Sequence, residues 1–253
     1  MCGIAGIFST GGLSDVDRAA LPVMLAAIYH RGPDEEGTHI TDTIAMGCRR
    51  LSIIDLSGGQ QPMFAQDDQV AMVANAEIYN QHDLRRDLSA RGVQFQNNCD
   101  VEVLPHLYAH DGLDLANNLN GQFAFAIHDA GKNRLVLGRD QTGIAPLFWA
   151  KIPGGIVFGS EIKAILGHPA VPRRLDATGL DQVLTFPGLV SPQTMFAGIH
   201  ALRPGHLLVV EGEDIREQKY WDYDFPLEND IGTANEAELL DDLEEALLGA
   251  VKR

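Results

Sequence analysis

The chain has 253 residues, 45% apolar and 21% charged, with a net charge of -16 and three cysteines. That balance is compatible with a sizeable globular core, and its acidity argues against nucleic-acid binding, which needs clustered Lys and Arg on phosphate. No apolar run reaches the roughly 18 residues of a membrane span, and Cys2, Cys48 and Cys99 are too few and too far apart for a disulfide framework or zinc site; reduced thiols in a cytoplasmic protein are expected.

The opening stretch, Met1 to Phe8, reads as a buried strand that anchors the N-terminus in the core. A Gly-rich turn follows, then apolar residues at helical spacing from Asp15 to Tyr29 behind a Ser/Asp cap signal. His30 to Asp34 breaks that helix. Strands are expected at 40–46, 50–54 and 70–75, helices at 81–91 and 100–110, with Asp100 as a cap, and a hairpin from strands at 121–128 and 134–139. A second hairpin follows at 147–151 and 156–160, then short helices at 161–166 and 176–184 and a strand at 207–210. Antiparallel strands with segregated helices point to an α+β layered protein. Beyond residue 225 the composition turns acidic, Thr233 to Glu236 reads as a capping box, and Leu239, Leu240, Leu243, Leu247 and Val251 form an apolar stripe. Two domains are therefore expected, at 1–225 and 226–253, the second a linker and the first helix of a domain lying downstream.

One match carries no chemistry. Leu56 to Gln60 spells the ABC-type ATPase signature, but no phosphate-binding loop accompanies it, and it reads as a turn. Other stretches are more informative together than apart. Removal of Met1 would leave Cys2 with a thiol of pKa ~8.5 beside a free α-amine of pKa ~8, a nucleophile with its base attached. Taken alone, Cys2 is as well explained as a small residue at a strand start. Arg31 to Asp34 could be a plain turn, Arg49 and Arg50 a surface pair, and Asp100 a helix cap. Combined, Arg50 could hold the α-carboxylate of an amino acid, Glu77 with Asp100 its ammonium, Cys2 could attack its far end and Asn75 could steady an oxyanion.

The ordered series Met1-Cys2-Gly3-Ile4-x-Gly6, Arg31 to Asp34, Arg50 to Asp55, Glu77 to Asn80, Gly138-Arg139-Asp140-x-x-Gly143, Pro146-Leu147 and Ser160 to Ala164 resembles the glutaminase domain of asparagine synthetase-type class II glutamine amidotransferases. The resemblance covers about residues 1 to 225. It implies an N-terminal-nucleophile hydrolase with a four-layer α-β-β-α sandwich of two antiparallel sheets. It further implies Cys2 as nucleophile, Asn75 and the backbone N–H of Ala76 as oxyanion donors, and Arg50, Ile54, Glu77 and Asp100 as glutamine-binding residues. The glutaminase domain would need no cofactor or metal of its own. ATP and Mg would serve the downstream synthetase domain, which receives ammonia, with asparagine synthesis from aspartate the first expectation. Glutamine and that domain are the implied partners, with no nucleic acid or membrane, and a homodimer is an open arrangement.

Two positions depart from the family pattern. Ala76 stands where Gly is usual, and if that position needed a positive φ the methyl would cost ~1 to 2 kcal/mol and crowd the carboxamide, giving weakened glutaminase. Cys48 stands where His is usual and reads as a packing change. Two rival functions remain at this level: a glutamine-binding or assembly domain with decayed catalysis, and an N-terminal nucleophile acting on another amide.

Overall fold

The computed structural model describes residues 1–253 apart from 54, 56, 57, 66, 67, 226–234 and 253. In chain order the elements are β1 (Gly3–Ser9), α1 (Asp15–Ala27), β2 (Glu35–Ile40), β3 (Ile44–Arg50), β4 (Met63–Ala65), β5 (Val70–Ile78), α2 (Gln81–Ala90), α3 (Val103–Asp111), β6 (Gly121–Asp129), β7 (Arg134–Arg139), β8 (Phe148–Ile152), β9 (Gly155–Gly159), α4 (Ile162–Ile165), α5 (Ala177–Thr185), β10 (Ile199–Ala201), β11 (His206–Glu211), β12 (Asp214–Lys219) and α6 (Glu236–Val251). Two compact units result, Met1–Trp221 and Asp222–Arg253.

Within the first unit the strands form two six-stranded antiparallel sheets, ordered β10-β8-β9-β1-β3-β2 and β12-β11-β7-β6-β5-β4. The period-2 alternation of each strand divides its side chains between two apolar layers. From β1, Ile4 and Phe8 face the second sheet and pack with Val73, Ala124, Ala126 and Leu137, while Ala5 and Ile7 face outward onto Leu21, Met24 and Leu25 of α1. On the far side of the second sheet, Met72, Phe123, Phe125 and Val136 pack against Leu104, Leu107 and Tyr108. The order is therefore helix, sheet, sheet, helix, the α+β sandwich that the resemblance implies. Phe8, Phe123, Phe125 and Phe158 are fully buried, and each contributes roughly 2 to 3 kcal/mol.

Helix starts follow local chemistry. Ser14 and Asp17 form a reciprocal capping box at α1, and Asp176 accepts from Gly179 N–H at α5. In the second unit α6 begins on a capping box of Asn235 and Glu238, two residues later than expected from the sequence. Thr233 lies outside the described residues. The stripe of Leu239, Leu240, Leu243 and Leu247 on α6 is exposed.

Several expectations are corrected. The strand expected over 40–46 straddles a turn: β2 ends at Ile40, Thr41 N–H bonds Ile44 C=O, and β3 begins there. The strand expected at 50–54 does not form, because β3 runs out at Arg50 and Leu51 to Ile53 is irregular. α1 ends at Ala27, two residues early. Residues 100–102 form a 3-10 turn ahead of α3, whose N-cap position is Glu102 and not Asp100; the Asp100 carboxylate accepts from Ile78 N–H on β5. β4, β10 and β12 are short or polar edge strands with no marked alternation to announce them.

Candidate active site

The start of β1 is fixed from three sides. Ser160 closes two bonds with Ile4, its Oγ accepting from Ile4 N–H at 3.0 Å and its N–H donating to Ile4 C=O at 2.9 Å. Arg31 Nε donates to Cys2 C=O at 2.9 Å, and its Nη1 is held by Glu161, which also binds His30 and Lys163. Gly32 allows this arrangement, since a Cβ there would lie 2.3 Å from the Arg49 carbonyl. Arg31 to Asp34, which in the sequence could be a plain turn, and Ser160 to Ala164, a strand end leading into a short helix, thus clamp the residue between them.

Opposite Cys2, across the space between the sheets, lies β5. Asn75 shares a face with Ala71 and Val73, which belong to the inter-sheet layer, and Glu77 continues that face. The edge of β5 is equally informative. β4 pairs only with Val70 to Met72. Beyond it, Gln61 takes both backbone groups of Ala74, accepting from its N–H and donating Nε2–H to its C=O at 3.0 Å. Asp100 Oδ2 accepts from Ile78 N–H at 2.7 Å. Ladder alternation turns Ala76 N–H toward the same edge, between these two side chains.

Two small adjoining recesses, of about 90 and 40 Å³, share Cys2, Leu51, Ile53, Ala76 and Glu77. The first adds Met1, Asn75, Gln122 and Ala145; the second adds Arg50, Cys99 and Asp100. Of the candidate residues, Cys2, Arg50, Asn75, Ala76, Glu77 and Asp100 therefore converge, and Ile54 lies outside the described residues. A larger cavity of about 500 Å³ lies between 58–65 and 96–106 and contains none of them. Arg49 and Arg50 diverge from the end of β3. Arg49 pairs with Glu36 and lies over Tyr29, whereas Arg50 is buried, its Nη1 on Glu35 at 2.6 Å and its Nη2 on Asp55 C=O at 2.7 Å.

The local field separates the titratable groups. The neighbouring Cys48 side chain brings the Cys2 thiol down to about 6 against the opposing effect of burial, helped by the Leu51 backbone, the terminal ammonium and Arg50. Cys99 is pushed up to about 12 by burial and by Asp100. Burial raises Glu77 and Asp100 above the usual carboxylate range, and their mutual repulsion adds to it for Glu77.

Ala76 needs no special backbone. It lies in β5 and is absent from the positive-φ residues, which among the described non-glycines are Asp55, Asp68 and Asn133. Its methyl packs on the outer, α3-side layer and not among the inter-sheet residues. The conformational cost considered from sequence therefore does not apply.

A model of the glutamine amidotransferase domain matches residues 1–221. The chain belongs to the glutamine amidotransferase domain family. It is 37% identical over 224 residues to asparagine synthetase [glutamine-hydrolyzing] 3 of Bacillus subtilis, covering 87% of this chain and 36% of the relative. It is 34% identical over 264 residues to amidase chyE of Penicillium rubens, covering all of this chain and 38% of the relative. The chain thus spans well under half the length of these relatives. Its fold matches glutamine phosphoribosylpyrophosphate amidotransferase from B. subtilis with a TM-score of 0.64 at 19% identity, over 87% of this chain and 49% of the other. This glutamine amidotransferase domain is an enzyme of that class.

Three contributors had no clear signal in the sequence. Gln61 is one of two adjacent glutamines in an irregular segment, and Gln122 and Ala145 are ordinary strand and loop residues. The motif at 138–143 proves to be support: Arg139 donates to the carbonyls of Gly143, Ala145 and Leu202, and Asp140 accepts from Phe123, Thr142, Ile144 and Ala145 N–H, fixing the loop that carries Ala145.

Proposed function

We propose that this domain hydrolyses the side-chain amide of glutamine, using Cys2 as nucleophile once Met1 has been removed. The observation that carries the reading is the convergence of a low-pKa thiol, the Asn75 side chain and an outward-facing Ala76 N–H on one recess. The Cys2 thiolate attacks the amide carbon and the carbonyl oxygen gains the charge, which the Asn75 amide and Ala76 N–H stabilise. The Cys2 α-amine takes the thiol proton and, as the ammonium, delivers it to the departing ammonia, and water then hydrolyses the γ-glutamyl thioester to glutamate and regenerates the thiol. Glu77 and Asp100 face the substrate ammonium, whose positive charge favours their ionised forms. Arg50 faces the α-carboxylate, with Glu35 holding its guanidinium in place.

Met1 lines the first recess with its side chain 60% exposed, in the volume a substrate would enter. Its removal both opens the site and creates the base. Intact mass spectrometry reads that removal directly, and a glutamine-mimicking diazo-ketone should then add to Cys2. Trimmed protein that forms no adduct would overturn the nucleophile assignment and favour a glutamine-binding or assembly domain.

In the full protein the ammonia passes to an ATP-dependent synthetase domain, with ATP and Mg²⁺ bound by residues outside this chain. Aspartate is the favoured acceptor, supported by the Bacillus asparagine synthetases. The similarity to amidase chyE over the whole chain supports a different acceptor in the same scheme. Full-length protein given glutamine, ATP, Mg²⁺ and aspartate forms asparagine if the first is correct, and only glutamate and ammonia if the second is.

A further inference from the structure

Cys2 stands one residue ahead of the sheet. The β1–β3 register opens with Gly3 on Arg49, so strand pairing stops short of the nucleophile, which becomes the chain terminus once Met1 is removed. Chain ends fray unless something ties them down. Here the tie is Arg31, whose Nε donates to the Cys2 carbonyl at 2.9 Å and whose stem lies along Gly3, where a Cβ would come within 3.1 Å of the Arg31 Cδ.

Arg31 is itself held by a single side chain. With its own side chain 10% exposed, it donates from Nη1 to Glu161 Oε1 at 3.3 Å, and among the described residues its buried Nη2 has no partner. Glu161 therefore fixes the direction of the guanidinium fork. Glu161 occupies the N-cap position of α4, yet its side chain makes no capping bond; Oε1 also bonds His30 Nε2 at 2.7 Å and Oε2 pairs with Lys163 at 3.0 Å. Burial opposes its ionisation, but the bonds from Lys163, His30 and Arg31 outweigh that and hold the carboxyl below its ordinary range. Neither Glu161 nor Arg31 lines either recess.

We propose that Glu161 is a positioning residue for the nucleophile: it fixes the Arg31 fork on the Cys2 carbonyl and so keeps the terminal thiol and amine beside the bound amide, without touching substrate. The inference rests on the reading of Cys2 as the nucleophile. Without Glu161 the guanidinium would keep only the Cys2 carbonyl as acceptor, and a largely buried cation stripped of its carboxylate turns toward water. The carbonyl would then lose its tie. Misplacing a reacting group by about 1 Å can cost on the order of 10²-fold in rate, whereas Arg50, Glu77 and Asp100, which face the substrate's charged groups, lie on other segments and stay in place.

The test is a double-mutant cycle on Met1-processed protein, read by steady-state ammonia release. Glu161→Ala should lower kcat by about tenfold with KM for glutamine within about twofold of wild type. Glu161→Gln, which keeps an oxygen for Arg31 Nη1, should recover kcat to within about threefold. Because Glu161 acts through Arg31, the double variant Arg31→Ala with Glu161→Ala should lose no more than about threefold beyond Arg31→Ala alone. Losses that multiply in the double variant overturn the proposal, as does a Gln loss equal to the Ala loss or a change confined to KM. If Glu161→Ala does not fold, Glu161→Asp takes its place, its carboxylate one methylene short of Arg31, and a wild-type kcat there overturns the proposal. Turnover that survives Cys2→Ala, or its absence in processed wild-type protein, defeats the nucleophile reading and the Glu161 role with it. Turnover lost in Cys2→Ala but unmoved in Glu161→Ala defeats the Glu161 role alone.

Discussion

The segment that begins β1 and the 3-10 turn at 100–102 each bring a cysteine to the same recess, yet the two thiols have opposite characters. Cys2 is drawn down to about 6, while Cys99 is driven up to about 12. Burial raises both and is the leading cause at Cys99, and only at Cys2 do the neighbours overcome it. Cys2 lies near the Cys48 side chain, the terminal ammonium and Arg50, whereas Cys99 adjoins the Asp100 carboxylate and its thiol donates to it at 3.7 Å. Reactivity in this pocket is set by the sign and direction of immediate neighbours, and the presence of a thiol alone is a poor guide.

That contrast can be broken in several ways. Cys2→Ala should abolish glutamine hydrolysis, a loss of at least about 10⁴-fold in kcat, while Cys99→Ala should remain within about threefold of wild type in a steady-state ammonia assay. Comparable losses in both would mean that the two sulfurs share the chemistry. Asn75→Ala should lower kcat by about 10² to 10³-fold with a smaller effect on KM, the pattern of a group that acts on the transition state.

Asp100→Asn should raise KM for glutamine by roughly tenfold, since a buried carboxylate facing the substrate ammonium is lost. Its effect on stability should run the other way at neutral pH. Burial raises the Asp100 pKa in the folded state, so folding favours the protonated form and stability falls as pH climbs from the ordinary value near 4 through the raised one. Asn carries no such dependence. Urea unfolding at pH 4 and pH 8 should therefore show the variant gaining on wild type as pH rises, and a constant difference would refute the burial argument.

The smallest effect expected is that of Ala76→Gly, within about twofold in kcat/KM, because Ala76 uses no left-handed backbone and directs its methyl to the outer layer. A rise of tenfold or more would restore the crowding idea.

Much of the fold was legible because it follows from local pattern. The β1 run, the α1 spacing behind Ser14 and the 121–139 hairpin each bury a face that alternation or helical periodicity announces. The edge strands β4, β10 and β12 were missed for the converse reason: short or half-solvated strands owe their pairing to a neighbour. The break between β2 and β3 was missed because β-branched residues flank the turn on both sides. Asp100 is the instructive site residue. Locally it has the form of a cap, and only the approach of β5 makes it the acceptor for Ile78 N–H.

The ordered motifs, read by resemblance, indicated the family, the sandwich and a set of candidate residues, since residue identity carries which donors, acids and thiols exist. Only tertiary structure decided how those groups are oriented. It turned Arg49 away and Arg50 inward, and set the Ala76 N–H between Gln61 and Asp100. Each of these depends on strand register between segments far apart in the chain, and a hydrogen bond or a pKa is fixed by distances that sequence spacing does not contain.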